Sequence, residues 1–273
     1  MDKSSPIGVF DSGIGGLSVL KQLIRFLPYE SYVYLGDTAR VPYGNKSPET
    51  VKAYAGQCTE FLLDKGVKLI VVACNTVSSV ALDAVIKTAG KKVPVIGMIE
   101  PASEAALRET KNKKIGIIGT RATVNSGAYS ALINKLGGKK IEVHSTACPL
   151  FVPIAEEGLD SHPAAKMIAE EYLSEMKNAG IDTLVLGCTH YPLLADLFRQ
   201  VLPGIDLIDS GEHSSVRALR ILADKDLLVD TKDEFVQKPK LDFYVTDLPA
   251  MFYDLAYKFL GFKIDKPQKI ELE

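Results

Sequence analysis

Leu69-Ile-Val-Val-Ala-Cys-Asn-Thr (residues 69–76) is echoed by Leu184-Val-Leu-Gly-Cys-Thr-His (residues 184–190), and this pair decides the fold. Each stretch is a short apolar run that stops at a cysteine and turns polar, as buried parallel strands do when they feed a loop. A second match, Ile7-Gly-Val-Phe-Asp-Ser against Ile115-Gly-Ile-Ile-Gly-Thr, stands at a similar offset. Two features repeated at similar spacing predict two α/β domains of common plan.

Outward from these runs, further apolar stretches lie at Tyr32–Leu35, Val93–Met98, Ile141–Val143 and Leu207–Ile208. Segments of helical period separate them: Leu17–Phe26, Pro48–Lys65, Val77–Lys87, Ala102–Glu109, Ser126–Leu136, Ala164–Asn178 and Leu193–Val201. Ser47 before Pro48 and Glu49 supplies an N-cap, an N1 proline and an early acid. Strand and helix in alternation predict an α/β fold with mostly parallel sheets.

The 273 residues suit two modest domains or one large one, long enough in either case to bury a core. With 47% hydrophobic and 24% charged residues, the composition is that of an ordinary globular protein. A net charge of -2 gives no footprint for nucleic acid, and Lys111–Lys114 reads as a solvated turn before a strand. No run reaches the roughly 18–20 apolar residues of a membrane span, and Met1–Pro6 is too polar to open a signal peptide. The expected location is the cytoplasm. The four cysteines form no C-x-x-C pair and no zinc spacing, so they are read as free thiols.

Cys74 and Cys188 stand where ligands gather in open α/β sheets, at the carboxyl ends of strands. Helices starting just after them would offer amides and partial positive charge to a thiolate or an anion. A free cysteine is usually a small buried hydrophobe, and Cys58, at helical spacing with Val51, Ala55 and Leu62, fits that description. Cys148 is also read as structural. Two cysteines at matching positions, each followed by amide, hydroxyl or imidazole groups, point instead to chemistry.

Asp11-Ser-Gly-Ile-Gly-Gly follows the first strand and resembles a dinucleotide fingerprint, but Ser18 holds the third glycine position. Its glycines still allow amides to approach a small carboxylate. Asp11 has two readings, a helix cap or an acid of the site. Asp37-Thr-Ala-Arg-Val-Pro-Tyr-Gly forms a loop in which Arg40 and Asp37 either pair with each other or contact a ligand. His190 follows a candidate thiolate by two residues, a setting that His144, His162 and His213 lack. Glu156 and Glu157 read by default as a solvated acidic turn.

Taken together, GVFDSGIGGLSVL, YLGDTARVPYG, ACNTVSS, GTRATVNSGAY, CPLFVPIAEEG and LGCTHYPLL resemble the glutamate racemase family of the aspartate/glutamate racemase superfamily. The resemblance covers most of the chain in order, whereas residues 224–273 carry no usable motif. It implies two similar domains facing each other, residues 1–98 with 212–273 and residues 99–211, with the site between them. It implies that Cys74 and Cys188 are acid/base catalysts, that Asp11 and His190 assist them, and that Glu156 is a further acidic helper. Ser12, Tyr43, Gly44, Asn75, Thr76 and Thr189 match substrate-binding positions, as do Asp11 and His190. The family makes D-glutamate for peptidoglycan and usually dimerises, which implies glutamate as the small-molecule substrate and a homodimer. No cofactor and no metal are expected.

That chemistry suits the inventory. Inverting an α-carbon needs a base on one face and an acid on the other, and the two must exchange roles. Two thiols, whose ordinary pKa is near 8.5, meet that need. By the resemblance, Cys188 takes the proton from L-glutamate and Cys74 from D-glutamate. An aspartate-type racemase is the nearest alternative. A cysteine hydrolase built on Cys188 and His190 is another, although residues i and i+2 rarely face each other on a regular element. A non-catalytic two-lobed carboxylate binder is a third.

Overall fold

A computed structural model describes residues 2–138, 140–230 and 239–272. The first stretch runs β1 (Ile7–Asp11), α1 (Leu17–Phe26), β2 (Tyr32–Gly36), α2 (Pro48–Asp64), β3 (Leu69–Val72), α3 (Asn75–Val80), α4 (Leu82–Ala89), β4 (Val95–Ile96) and α5 (Ile99–Glu109). The second runs β5 (Lys114–Gly119), α6 (Arg121–Asn125), α7 (Ala128–Gly137), β6 (Glu142–Ala147), α8 (Phe151–Glu156), α9 (Pro163–Ala179), β7 (Thr183–Gly187), α10 (Ala195–Val201) and β8 (Asp206–Asp209). The chain ends with α11 (Ser210–Asp224), β9 (Leu241–Val245), α12 (Phe252–Leu260) and β10 (Gln268–Lys269).

All the strands pair in parallel. One sheet has the order β10-β9-β2-β1-β3-β4, and the other has β6-β5-β7-β8. The order β2-β1-β3-β4 recurs as β6-β5-β7-β8, so β1 corresponds to β5 and β3 to β7. The repeat read from the sequence is thus a repeat of topology.

The period-2 alternation of each strand sorts its side chains into two layers. Ile7, Val9, Tyr34 and Val71 pack with Leu20 of α1, Leu222 of α11 and Phe259 of α12. Phe10, Leu35, Ile70 and Val72 face the other way onto Val51, Ala55, Cys58 and Leu62 of α2 and Val77 of α3. The second sheet repeats the plan: Leu184 and Leu186 pack towards α9 and α10, and Ile115, Ile117 and Val185 towards α5 and α7. Each fully buried aliphatic side chain contributes about 1.5–3 kcal/mol.

Several expected helices end differently for local reasons. The stretch expected as one helix over 77–87 breaks at Ala81 (φ -139). Just before the break, Ser78 Oγ donates to the Val72 carbonyl and accepts from the Met98 amide. The helix expected over 126–136 begins only after Gly127 (φ 66), while Thr120 caps the separate short helix α6. The missed α11 opens on Ser-Gly-Glu-His-Ser-Ser, which hides its period, and is capped by Asp209. Part of the segment 224–273 lies outside the described residues; what is described supplies β9, α12 and β10. Among the described residues, no helix is long and apolar enough to cross a membrane.

At the amino ends of the strands, Lys68 and Glu30 form an ion pair of 2.5 Å with side chains 0% and 2% exposed. The ammonium also donates to the Lys3 carbonyl at 2.5 Å and the Leu227 carbonyl at 2.8 Å. Glu30 Oε1 accepts from the Val229 amide. The pair therefore ties the start of the chain and the exit from α11 to the sheet. We expect Lys68→Met to cost about 3–5 kcal/mol in urea unfolding, because it strands a buried carboxylate. Glu30→Leu added to Lys68→Met should restore part of that loss. A cost of Lys68→Met below about 1 kcal/mol would place the pair among ordinary exposed bridges.

Candidate active site

The strand order reverses beside β1 and β3 in one sheet and beside β5 and β7 in the other, and crevices open at such points. Asp11 and Ser12 leave β1, Cys74 follows β3, Thr120 follows β5 and Cys188 follows β7. All five line one cleft of about 510 Å³ between the two sheets. The other sequence-derived candidates, Tyr43, Gly44, Asn75, Thr76, Glu156, Thr189 and His190, line it as well.

The glycines after β1 let the two halves approach. A Cβ on Gly15 would lie 2.3 Å from Thr189 Oγ1 and 2.5 Å from His190 Cε1, so only glycine fits. Three residues on, Ser18 Oγ donates to the Thr189 carbonyl at 2.8 Å. Asn75 bridges in the same sense: its amide donates to Ser210 Oγ, and Tyr129 donates to its Oδ1 at 2.7 Å. Thr76 and Thr120 hydroxyls meet at 3.0 Å.

Cys74 is 5% exposed and its Sγ donates to Ser12 Oγ at 3.5 Å. Asp11 is also buried; its Oδ2 accepts from the Gly13 amide at 2.9 Å, while Oδ1 has no hydrogen-bond partner among the described residues. Burial pushes the Asp11 carboxyl above its ordinary value, against the His190 charge and the nearby amides. Burial, reinforced by Asp11, pushes the Cys74 thiol up to about 12, although Ser12 and the Val77 amide oppose it. Cys74 therefore keeps its proton near neutral pH.

Around Cys188 the neighbours are an imidazole and, beyond it, a carboxylate. Cys188 Sγ and His190 Nδ1 are 3.9 Å apart, and His190 Nε2 lies 2.8 Å from Glu156 Oε1. Cys188 and His190 do meet, against the expectation from their i, i+2 spacing, because they do not lie on a regular element. After β7 the chain enters a turn before a 3-10 helix over Tyr191–Leu194, so residues i and i+2 converge. For the same reason no helix starts directly at Cys188, whereas Cys74 does cap α3. Burial would lower the His190 pKa, but its bonds to Cys188 and Glu156 raise it to about 10. The Phe259 ring meets the imidazole edge-on at 5.2 Å. Glu156 closes α8, while the neighbouring Glu157 is exposed beyond it.

Tyr43 differs from expectation in detail. It lines the cleft, but its hydroxyl donates to Asp37 Oδ2 within the protein. Thr120, Arg121, Pro249 and Phe252 also line the cleft and had not been singled out. Thr120 had a signal, being the hydroxyl at the end of the strand that repeats β1. Pro249 and Phe252 arrive from the far end of the chain, where no motif pointed to them. Among the described residues, no group of three or more His, Cys, Asp or Glu is placed to hold a metal ion.

The comparisons with known proteins agree on one family. A family model described as Asp/Glu/Hydantoin racemase matches residues 7–214. The chain is 48% identical over 262 residues to the glutamate racemase of Chlorobaculum tepidum, covering 96% of this chain and 94% of that one. It is 44% identical over 277 residues to that of Syntrophus aciditrophicus, covering 100% of both. The crystal structure of glutamate racemase from Francisella tularensis in complex with D-glutamate matches with a TM-score of 0.92 and 40% identity, covering 99% of each chain.

The imidazole supplies a pH signature. Because the folded pKa of His190 is raised above its ordinary 6.5 to about 10, its contribution to stability is complete below about pH 6.5 and fades as pH rises towards 10. We expect thermal melts from pH 6.5 to 10 to show a larger fall for the wild type than for Glu156→Gln. Parallel falls would mean that the Glu156 charge does not hold the proton on His190.

Proposed function

The chain belongs to the Asp/Glu/hydantoin racemase family, and from that premise we propose that it interconverts L- and D-glutamate by proton transfer between Cys74 and Cys188. The carrying observation is the placement of two thiols at equivalent strand ends, one from each half, around one cleft. We assign the halves as residues 1–98 with 212–273 and residues 99–211. Glutamate, rather than aspartate, is supported by the relatives named glutamate racemase at 41–48% identity.

From L-glutamate, the Cys188 thiolate takes the α-proton and the Cys74 thiol returns one to the opposite face. Afterwards the thiol is on Cys188 and the thiolate on Cys74, the state from which D-glutamate reacts. Asp11 beside Cys74 and the His190–Glu156 pair beside Cys188 are the assisting groups. An α-carbanion pushes charge onto its carboxylate, and donors aimed at that charge stabilise the transition state. The Ser12, Thr76 and Thr189 hydroxyls and the amides of Asn75 and Gly44 are the candidate donors. The thiols supply acid and base in turn, so the cycle needs no added cofactor.

In this reading the enzyme supplies D-glutamate for peptidoglycan as a cytoplasmic homodimer. Its buried free cysteines suit a reducing compartment. The Cys188–His190–Glu156 line also fits a hydrolase with nucleophile, base and orienting acid. That reading leaves Cys74 without a role.

In heavy water, D-glutamate formed early from L-glutamate should carry α-deuterium while unreacted L-glutamate stays protiated, with the mirror result from D-glutamate. Cys74→Ala and Cys188→Ala should each abolish racemisation, followed by optical rotation without cofactor. A hydrolase would keep its activity in Cys74→Ala. Racemisation surviving in either variant would overturn the two-thiol mechanism.

A further inference from the structure

Asp37 does not line the cleft, yet three side chains converge on its wholly buried carboxylate. Tyr43 OH donates to Oδ2, Arg40 Nε donates to the same oxygen at 2.6 Å, and Thr246 Oγ1 donates to Oδ1 at 2.8 Å. Arg40 is fixed in turn. Its Nη1 donates to Gln57 Oε1 at 2.5 Å, and its guanidinium stacks 4.0 Å above the Tyr54 ring, which also contacts Tyr43.

The connection to Thr246 reaches a distant part of the chain. Thr246 Oγ1 accepts from the Ala39 amide at 2.9 Å, and the Thr246 amide donates to the Gly36 carbonyl at 3.1 Å. Thr38 Oγ1 accepts from the Asp247 amide and donates to the Asp247 carbonyl. Just beyond, Pro249 and Phe252 form cleft wall. On the other side of Asp37, Tyr43 and Gly44 form wall too, and Gly44 is so close to Thr120 that a Cβ would lie 2.9 Å from Thr120 Cβ.

We propose that Asp37 is a positioning residue that fixes the Tyr43–Gly44 corner through the Tyr43 hydroxyl and couples it, through Thr246, to the C-terminal wall of the same cleft. The Tyr43 hydroxyl is thus an anchor within the protein, and substrate meets the corner that it holds. The effect on catalysis rests on the racemase reading; the effect on the loop does not. Charge matters as well as shape, since two donors, one a guanidinium, share Oδ2. An asparagine can keep an acceptor there and turn its amide to the Thr246 oxygen, but it loses the charge facing Arg40.

The test uses Asp37→Asn, Asp37→Ala, Tyr43→Phe, the double variant Tyr43→Phe/Asp37→Ala, and Thr246→Val. Asp37→Ala should raise KM for glutamate about tenfold or more, the loss of charge-assisted bonds, with a smaller fall in kcat. Asp37→Asn and Thr246→Val should show the same KM-weighted pattern in milder form, and they keep the test open should Asp37→Ala fail to fold. The double variant should be little worse than Asp37→Ala alone, because both changes break one link. Hydrogen exchange without substrate should quicken over residues 38–46 in Asp37→Asn and Thr246→Val. Wild-type KM in folded Asp37→Asn and Thr246→Val, or additive effects in the double variant, would overturn the proposal while glutamate racemisation stands. Unchanged exchange over 38–46 would overturn it whatever the substrate. A wild type inactive on glutamate with quickened exchange in the variants would instead overturn the racemase reading and support the loop coupling.

Discussion

The site depends on a contact that admits no side chain: the backbone at Gly15 lies against Thr189 and His190. A parallel sheet exposes functional groups at its carboxyl end, but one sheet alone offers them to a single side of a substrate. Here the turn after β1 seats directly on the turn after β7, and Ser18 bonds the Thr189 carbonyl beside it. With that seat made, further contacts close around it. Thr76 reaches Thr120, Asn75 is held by Tyr129 and Ser210, and Gly44 touches Thr120. The near-complete burial of Cys74 and Cys188 follows from the same approach.

Equivalent topology does not bring equivalent electrostatics. Cys74 and Cys188 end corresponding strands, yet a carboxylate neighbours the first and an imidazole neighbours the second. A buried charge without a partner costs several kcal/mol, so the resting proton distribution is set by these neighbours rather than by the thiols alone. Burial, reinforced by Asp11, holds the proton on Cys74, and the bonds to Cys188 and Glu156 hold one on His190. The cleft thus combines a protonated thiol in one half with a cationic ring in the other. The proposed proton transfer from one half to the other would have to reverse that bias.

Much of this was legible because strands and strand ends carry local signals. The alternation from Ile7 to Phe10 or from Leu184 to Leu186 encodes the layers, and the paired cysteines mark where β3 and β7 stop. Contacts set by turns and by distant segments were not legible. Cys188 and His190 converge because the chain leaves its strand through a turn, a geometry that residue spacing alone does not encode. Arg40 and Asp37 were expected either to pair or to serve the ligand. They do pair, and the same carboxylate also holds Tyr43 and Thr246, a connection across most of the chain that no local pattern carries.

The C-terminal helix shows how a segment without a motif can matter to the site. Residues 252–260 form an amphipathic helix whose buried face is Phe252, Ala256, Phe259 and Leu260. Two of its residues nevertheless act on the other half of the cleft. Phe259 sets an aromatic edge on His190, limiting how the ring can turn. Lys258 donates to the Ala155 carbonyl at 2.5 Å, near the carboxyl end of α8, where a cation offsets the helix dipole. α8 carries Glu156, so one helix steadies both members of the His190–Glu156 pair. Since α12 packs with α1 in the first half, the orientation of the groups around Cys188 is referred to the same body that carries Cys74. The proposed two-thiol reaction needs such a common frame, because misplacement of a reacting group by about 1 Å can cost roughly a hundredfold in rate.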